Sequence, residues 1–187
     1  MRKSFILLLA VIIFQIVYFI SGCDLSKLNF SQEGKISLPF GKNYNYDDIL
    51  VARAIDGDTL ELENGERLRL IGIDTPDIHE SNKLYRDSQK TDTDINTIKK
   101  LGRKSYLFTK DLVEAKRVRL EFDVEKRDKY KRLLAYVFLK DGTFVNAEIV
   151  KEGYASLMTY PPNVKYVDEF LKLYREAREN KRGLWRE

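Results

Sequence analysis

Between Leu60 and Leu70 the chain alternates strictly. Leu60 and Leu62 are interleaved with Glu61 and Glu63, Asn64-Gly65 interrupts, and Leu68 and Leu70 are interleaved with Arg67 and Arg69. A period of two puts all four leucines on one side of a pleated ribbon. Asn-Gly between two such runs supplies the two positive-φ positions of a tight turn, so the segment is predicted to be a β-hairpin with one apolar face. A hairpin cannot cover that face by itself. The rest of the chain must bring further elements onto it.

Those partners are legible on both sides. Ile49–Ala54 is predicted to be a strand leading into Ile55-Asp56-Gly57-Asp58-Thr59. The return strand of the hairpin is predicted to run on through Ile71-Gly72-Ile73 and stop at Asp74-Thr75-Pro76, because Pro76 has no amide hydrogen for a ladder bond. Residues 78–96 are polar and rich in turn formers, and are expected to form a long, mobile loop. A helix is expected over about Thr97–Glu114, with Ile98, Leu101, Tyr106 or Ser105, Phe108 and Leu112 facing inward and Lys99, Lys100, Arg103, Lys104 and Lys110 outward. Val118, Leu120 and Phe122 alternate with charged residues as a fourth strand, and Leu134–Leu139 forms a fifth before the Asp141-Gly142 turn. A short helix over Val145–Glu152 ends at Gly153, which suits a left-handed C-terminal cap. After Pro161-Pro162 a last helix is expected with Asn163 as N-cap and Val167, Phe170, Leu171, Tyr174 and Ala177 on its buried side. Trp185 closes the domain. This order describes an α+β, mainly β fold: a five-stranded OB-type barrel with three helices. Such a barrel removes sheet edges and leaves one face open to oligonucleotides.

At 187 residues, 43% hydrophobic and 33% charged, the chain has room for one globular domain and a leader. Residues 1–22 read as an export signal, with Arg2 and Lys3 before an apolar run from Phe5 to Ile20. The run ends in Ser21-Gly22-Cys23, and Cys23 is the single cysteine. That ending resembles a bacterial lipoprotein signal, in which the cysteine becomes the lipidated first residue; an uncleaved membrane anchor is the alternative. Residues 23–46 then form the lipid-attachment site and a polar linker, and 47–187 the folded domain. On either reading the domain is exported and tethered to a membrane. The formal charge of +4 falls to +2 without Arg2 and Lys3, so total charge neither demands nor excludes a nucleic-acid partner.

Asp58 and Asp74 stand at strand ends that the hairpin brings together. With the Thr75 carbonyl, water and a phosphate oxygen they would suit calcium, which accepts an irregular shell of hard oxygen ligands. Zinc is disfavoured, because His79 and Cys23 are the single histidine and cysteine. Taken alone, Asp56-Gly57-Asp58-Thr59 also reads as an ordinary turn whose aspartates bond their own backbone. Arg69, on the strand leading to Asp74, and Arg132, before the fifth strand, are candidate donors to a phosphate, since a guanidinium stays charged and can bond two oxygens at once. Each also reads as a solvated surface residue.

Three segments in order carry a family resemblance: Asp56-Gly57-Asp58-Thr59, Arg69-Leu70-Ile71-Gly72-Ile73-Asp74-Thr75-Pro76-Asp77, and Asp128-Lys129-Tyr130-Lys131-Arg132-Leu133-Leu134-Ala135-Tyr136. Together with Gly183-Leu184-Trp185 they resemble the staphylococcal nuclease (thermonuclease) family over about residues 50–185. The resemblance implies a calcium-dependent nuclease that cuts DNA and RNA to 3′-phosphorylated products. It implies Asp58, Asp74 and the Thr75 carbonyl as metal ligands, Asp56 as a ligand through water, and Arg69 and Arg132 as the phosphate clamp. The family's general base is a glutamate directly after Thr-Pro; here it is Asp77, one methylene shorter, with Glu80 as the alternative. Lys129, Tyr130 and Tyr160 fall where the family binds substrate, although Tyr160 fits core or hinge packing equally. His79 is given no role, no protein partner is expected, and the chain is expected to be a monomer. The rival reading is a surface-anchored OB-fold module that binds nucleic acid or protein with a degraded active site. It would not require Asp58, Asp74, Arg69 and Arg132 as a set.

Overall fold

Five strands close on themselves in the order β1-β2-β3-β6-β5. In the computed structural model, which describes residues 44–186, β1 is Ile49–Asp56, β2 Thr59–Leu62 and β3 Arg67–Leu70. Later in the chain come β5, Arg117–Glu121, and β6, Leu133–Leu139. Leu60 faces Leu68 across the antiparallel β2–β3 pair, as the leucine period requires. β3 then runs parallel to β6, with Leu68, Arg69 and Leu70 beside Leu133, Leu134 and Ala135. The inward positions Val51, Leu60, Leu62, Leu68, Leu70, Val118, Leu133, Ala135 and Val137 are buried and fill the barrel. The α+β, mainly β, OB-type architecture expected from the sequence is therefore the observed one.

Several local expectations are corrected. The hairpin turn is not the two-residue form: only Gly65 has positive φ, at 81°. Gly65 N donates to Leu62 O and Leu62 N to Glu66 O, both at 2.9 Å. This makes a three-residue loop with glycine in the left-handed position, and the Asn64 carboxamide is free to bond Glu66. The return strand does not run unbroken to Asp74. Gly72 (φ 84°) turns the chain out of the barrel, and β4, Gly72–Asp74, pairs instead with β7, Ser156–Met158.

The polar stretch 78–96 is not a loop throughout, and among the described residues four α-helices stand where three were expected. Helix α1 spans Asn82–Thr91, capped by Ser81, whose Oγ accepts from Leu84 N at 3.0 Å. Its one buried residue is Leu84, so it shows no apolar stripe to read. Helix α2 spans Ile95–Val113, with Asp94 as N-cap. Its buried face is Ile98, Gly102, Ser105, Thr109 and Val113; Ile98 and Ser105 were expected there, whereas Leu101, Tyr106, Phe108 and Leu112 are only partly buried. Helix α3, Val145–Lys151, is followed by Gly153 at φ 76°, as expected.

Helix α4, Val167–Glu179, begins later than predicted. Asn163 does not cap it, because both ends of its buried carboxamide bond the Glu125 backbone at 2.8 Å. Phe170 and Ala177 are buried on α4, whereas Leu171 faces solvent. A 3₁₀ turn at Gly183–Arg186 ends the described chain. The expected signal, Cys23 and most of the linker lie outside the described residues. Among the described residues no helix is long and apolar enough to cross a membrane.

Candidate active site

The β1–β2 turn and the β4 strand end meet through Asp58. It is 6% exposed, and its Oδ2 accepts from Thr75 N at 2.8 Å and Thr75 Oγ1 at 3.0 Å. Arg69, pointing outward from β3, reaches both segments: Nη1 lies 2.7 Å from Asp58 Oδ2 and Nη2 2.9 Å from Asp74 Oδ1. One guanidinium thus bridges the two carboxylates that the sequence marks as metal ligands. The pivot at Gly72 makes this possible, since a strand continuing straight from Leu70 would carry Asp74 along the barrel wall.

Helix α2 holds the assembly from behind. A side chain at Gly102 would fall 2.5 Å from the Pro76 carbonyl oxygen, so only glycine lets the helix back onto the Pro76-Asp77 segment. Thr109 Oγ1 donates to Gly57 O and Ser105 Oγ to Tyr154 O, both at 2.7 Å. These buried small residues position the site; Ser105 is the alternative the sequence offered to Tyr106, whereas Gly102 and Thr109 escape a reading that seeks apolar residues at helical spacing.

The larger omission is Lys83, on α1. Its Nζ lies 2.9 Å from Thr75 O, 3.2 Å from Asp74 Oδ2, 3.2 Å from Asp77 Oδ1 and 3.3 Å from Asp87 Oδ2. Burial alone would lower its pKa, but the Asp74, Asp77 and Asp87 carboxylates outweigh burial and hold the ammonium above the ordinary lysine value. Asp74 is shifted upward because its burial outweighs the attraction of Lys83 and Arg69. Asp56 is pushed up to about 7 by burial and then by the neighbouring Asp58 charge, with the Gly57 N–H opposing. The i, i+4 pair Lys83–Asp87 was the sequence signal for helix α1.

Asp77 joins this cluster through Lys83, and the Ser81 hydroxyl also donates to it. Glu80 does not reach in; it pairs with Lys99 at 3.1 Å and stays 70% exposed. His79 is exposed. Asp58, Arg69, Asp74, Thr75 and Asp77 are therefore one connected group, with Asp56 close enough to feel the charges of Asp58, Asp77 and Lys83.

Arg132 is not bonded to that group. Its Nε donates to Asp128 Oδ2 at 2.7 Å, and Asp128 Oδ1 also accepts from the Tyr130 and Arg132 amides. Arg69 sits beside Leu134 in the parallel β3–β6 pair, and Arg132 lies just before β6 begins at Leu133. Tyr130 and Tyr160 are exposed, which removes the core-packing alternative for Tyr160. Lys129 Nζ lies 5.0 Å over the Tyr130 ring.

The profile of the staphylococcal nuclease homologues matches residues 67–187. The chain belongs to the staphylococcal nuclease family. It is 38% identical over 142 residues to the thermonuclease of Staphylococcus intermedius, covering 74% of this chain and 76% of that protein. An uncharacterized protein of Methanocaldococcus jannaschii is 40% identical over 146 residues, covering 72% and 70%. Endonuclease YncB of Bacillus subtilis is 35% identical over 159 residues, covering 82% and 69%. Membership in this family makes the chain a phosphodiester-hydrolysing nuclease.

Among the described residues no three His, Cys, Asp or Glu side chains cluster as a metal cage. The expected calcium set has two carboxylates and a carbonyl, Asp58, Asp74 and Thr75 O. Two of its members, Asp74 Oδ2 and Thr75 O, already converge on the ammonium of Lys83. An oxygen set arranged around a cation, with no nitrogen or sulfur donor, fits a hard divalent ion.

Proposed function

We propose that this nuclease uses calcium to hydrolyse the phosphodiester bonds of DNA and RNA, leaving 3′-phosphorylated fragments. One observation carries the reading: the Arg69 guanidinium lies between Asp58 and Asp74. Carboxylates for a metal and a fixed cation for phosphate oxygens are what in-line attack on phosphorus requires. Asp58, Asp74 and the Thr75 carbonyl would hold the ion, with Asp56 acting through water. Bound there, calcium neutralises charge on the phosphate oxygens. Arg69 has five N–H donors and spends only some of them on aspartate, so others remain for a phosphate oxygen. Arg132, just before β6, supplies the second guanidinium. Asp77 takes a proton from the attacking water as the new P–O bond forms and the 5′-oxygen of the next nucleotide leaves. The Ser81 hydroxyl and Lys83 hold the short Asp77 side chain. Tyr130, Lys129 and Tyr160 offer stacking and phosphate contacts, which do not depend on base sequence.

The export run and Ser21-Gly22-Cys23 support a lipid-tethered domain outside the cytoplasm. The deciding experiment incubates the protein with single-stranded DNA, plasmid and RNA, in calcium or in chelator, and repeats it with Arg69→Ala. Fragments with 3′-phosphate ends in calcium alone, reduced about 10² to 10³-fold by the substitution, are expected. Undiminished cutting in chelator sinks the calcium role, and DNA bound but uncut sinks the mechanism.

A further inference from the structure

Beside the site lies a cavity of about 640 Å³ between α1, α2, β7 and the terminal 3₁₀ turn, with Asp74 on its wall. That size falls within the range of small-molecule sites, about 300 to 1,000 Å³. Arg86 and Lys90 line it from α1, and among the described residues neither has an ion pair or hydrogen bond. Lys83, on the same helix, is spent on carboxylates. Trp185 lines the cavity as well, with its indole N–H buried without a hydrogen-bond partner. Met158 also forms part of the wall, and its sulfur lies 4.0 Å from the Arg69 guanidinium. The cavity therefore abuts the phosphate-binding group through Asp74 and Met158.

Two unspent cations, an indole ring and a thioether form a wall suited to an anion joined to a flat ring. Accepting the nuclease reading, we propose that this cavity is a second nucleotide subsite, which takes the unit adjoining the cleaved linkage. Its phosphate lies against Arg86 and Lys90, and its base packs on Trp185 and Met158. Stacking and phosphate pairing of this kind tolerate any base, so the subsite adds affinity for chain length without adding sequence preference.

Trp185 is the single tryptophan of the chain, so its emission reports this cavity directly. The test titrates the protein, in chelator to prevent cutting, with fluorescently labelled octathymidylate, and follows both label polarisation and Trp185 emission. Binding is expected to shift the emission. Arg86→Gln with Lys90→Gln, both at exposed positions, is expected to weaken octamer binding about tenfold and to lower the salt slope by about one to two. In calcium the same variant should hydrolyse a mononucleotide nitrophenyl ester, which has no neighbouring unit, at the wild-type kcat/KM. Octamer binding with unmoved Trp185 emission, or with undiminished affinity in the double variant, overturns the subsite alone. An octamer that is neither bound nor cut, even in calcium, overturns the nuclease reading beneath it.

Discussion

Replacing Gly72 by alanine should cost far more than its small size suggests, and the cost can be divided. An ideal Cβ at this position falls 2.4 Å from Phe170 Cε2 and 2.7 Å from Cδ2. Phe170 is 2% exposed and packed among Tyr136, Phe144 and Tyr166, so it cannot swing aside. Overpacking a filled core costs about 1–3 kcal/mol. The φ of 84° adds about 1–2 kcal/mol for any residue with a Cβ. Gly72→Ala should therefore lose about 2–5 kcal/mol. Gly65 is the internal control: its φ is 81°, but nothing lies within 4 Å of its ideal Cβ, so Gly65→Ala should lose only the backbone contribution. Urea unfolding followed by circular dichroism at 25 °C measures both. Adding Phe170→Leu should restore part of the loss in Gly72→Ala, because the two positions touch. Equal losses for Gly72→Ala and Gly65→Ala would refute the packing argument and leave only strain at the pivot.

Asp56 should make stability depend on pH. Its folded value of about 7 exceeds the unfolded 3.8, so the folded state holds the proton longer and its ionisation penalises folding as pH rises through that window. In chelator, Asp56→Asn should gain on the wild type progressively from pH 4 to 7, reaching on the order of 2–4 kcal/mol; a difference in urea midpoint that does not vary with pH would contradict this. Asp77→Glu restores the missing methylene and should raise kcat about tenfold, since reach on an ångström scale carries such factors. An unchanged rate would put the base elsewhere. Fatty-acid labelling of the protein in cells should be lost in Cys23→Ser, and labelling that persists would remove the lipid tether.

The barrel was legible because its information is local. Alternating leucines and a turn glycine fix each hairpin strand whatever surrounds them, and the inward set Leu60, Leu62, Leu68 and Leu70 follows from parity alone. The carboxylates and Arg69 were legible because three ordered segments that contain them resemble the nuclease family, although the strand expected to reach Asp74 is broken at Gly72. What escaped depends on contacts between distant segments. Helix α1 hides only Leu84, and its first turn is set by Ser81 and by the ion pairs of Lys83, which exist only once Asp74 and Asp77 are in place. The inner face of α2 adds Gly102 and Thr109 to the expected Ile98 and Ser105, for close approach and for a hydrogen bond to Gly57, neither of which hydropathy shows. Asn163 looked like a cap because nothing nearby showed that the Glu125 backbone would claim it.

The parallel junction of β3 with β6 has a bearing on biosynthesis. Asp58, Arg69 and Asp74 all precede α2, yet the edge of β3 stays unpaired until Leu133–Ala135 arrives, and β1 waits for Arg117 and Val118. A nascent chain that already carries the carboxylates proposed for the metal thus has no closed wall on which to mount them. Competence should come late and all at once, so that a fragment ending before Leu139 would be inert despite containing the charged cluster intact.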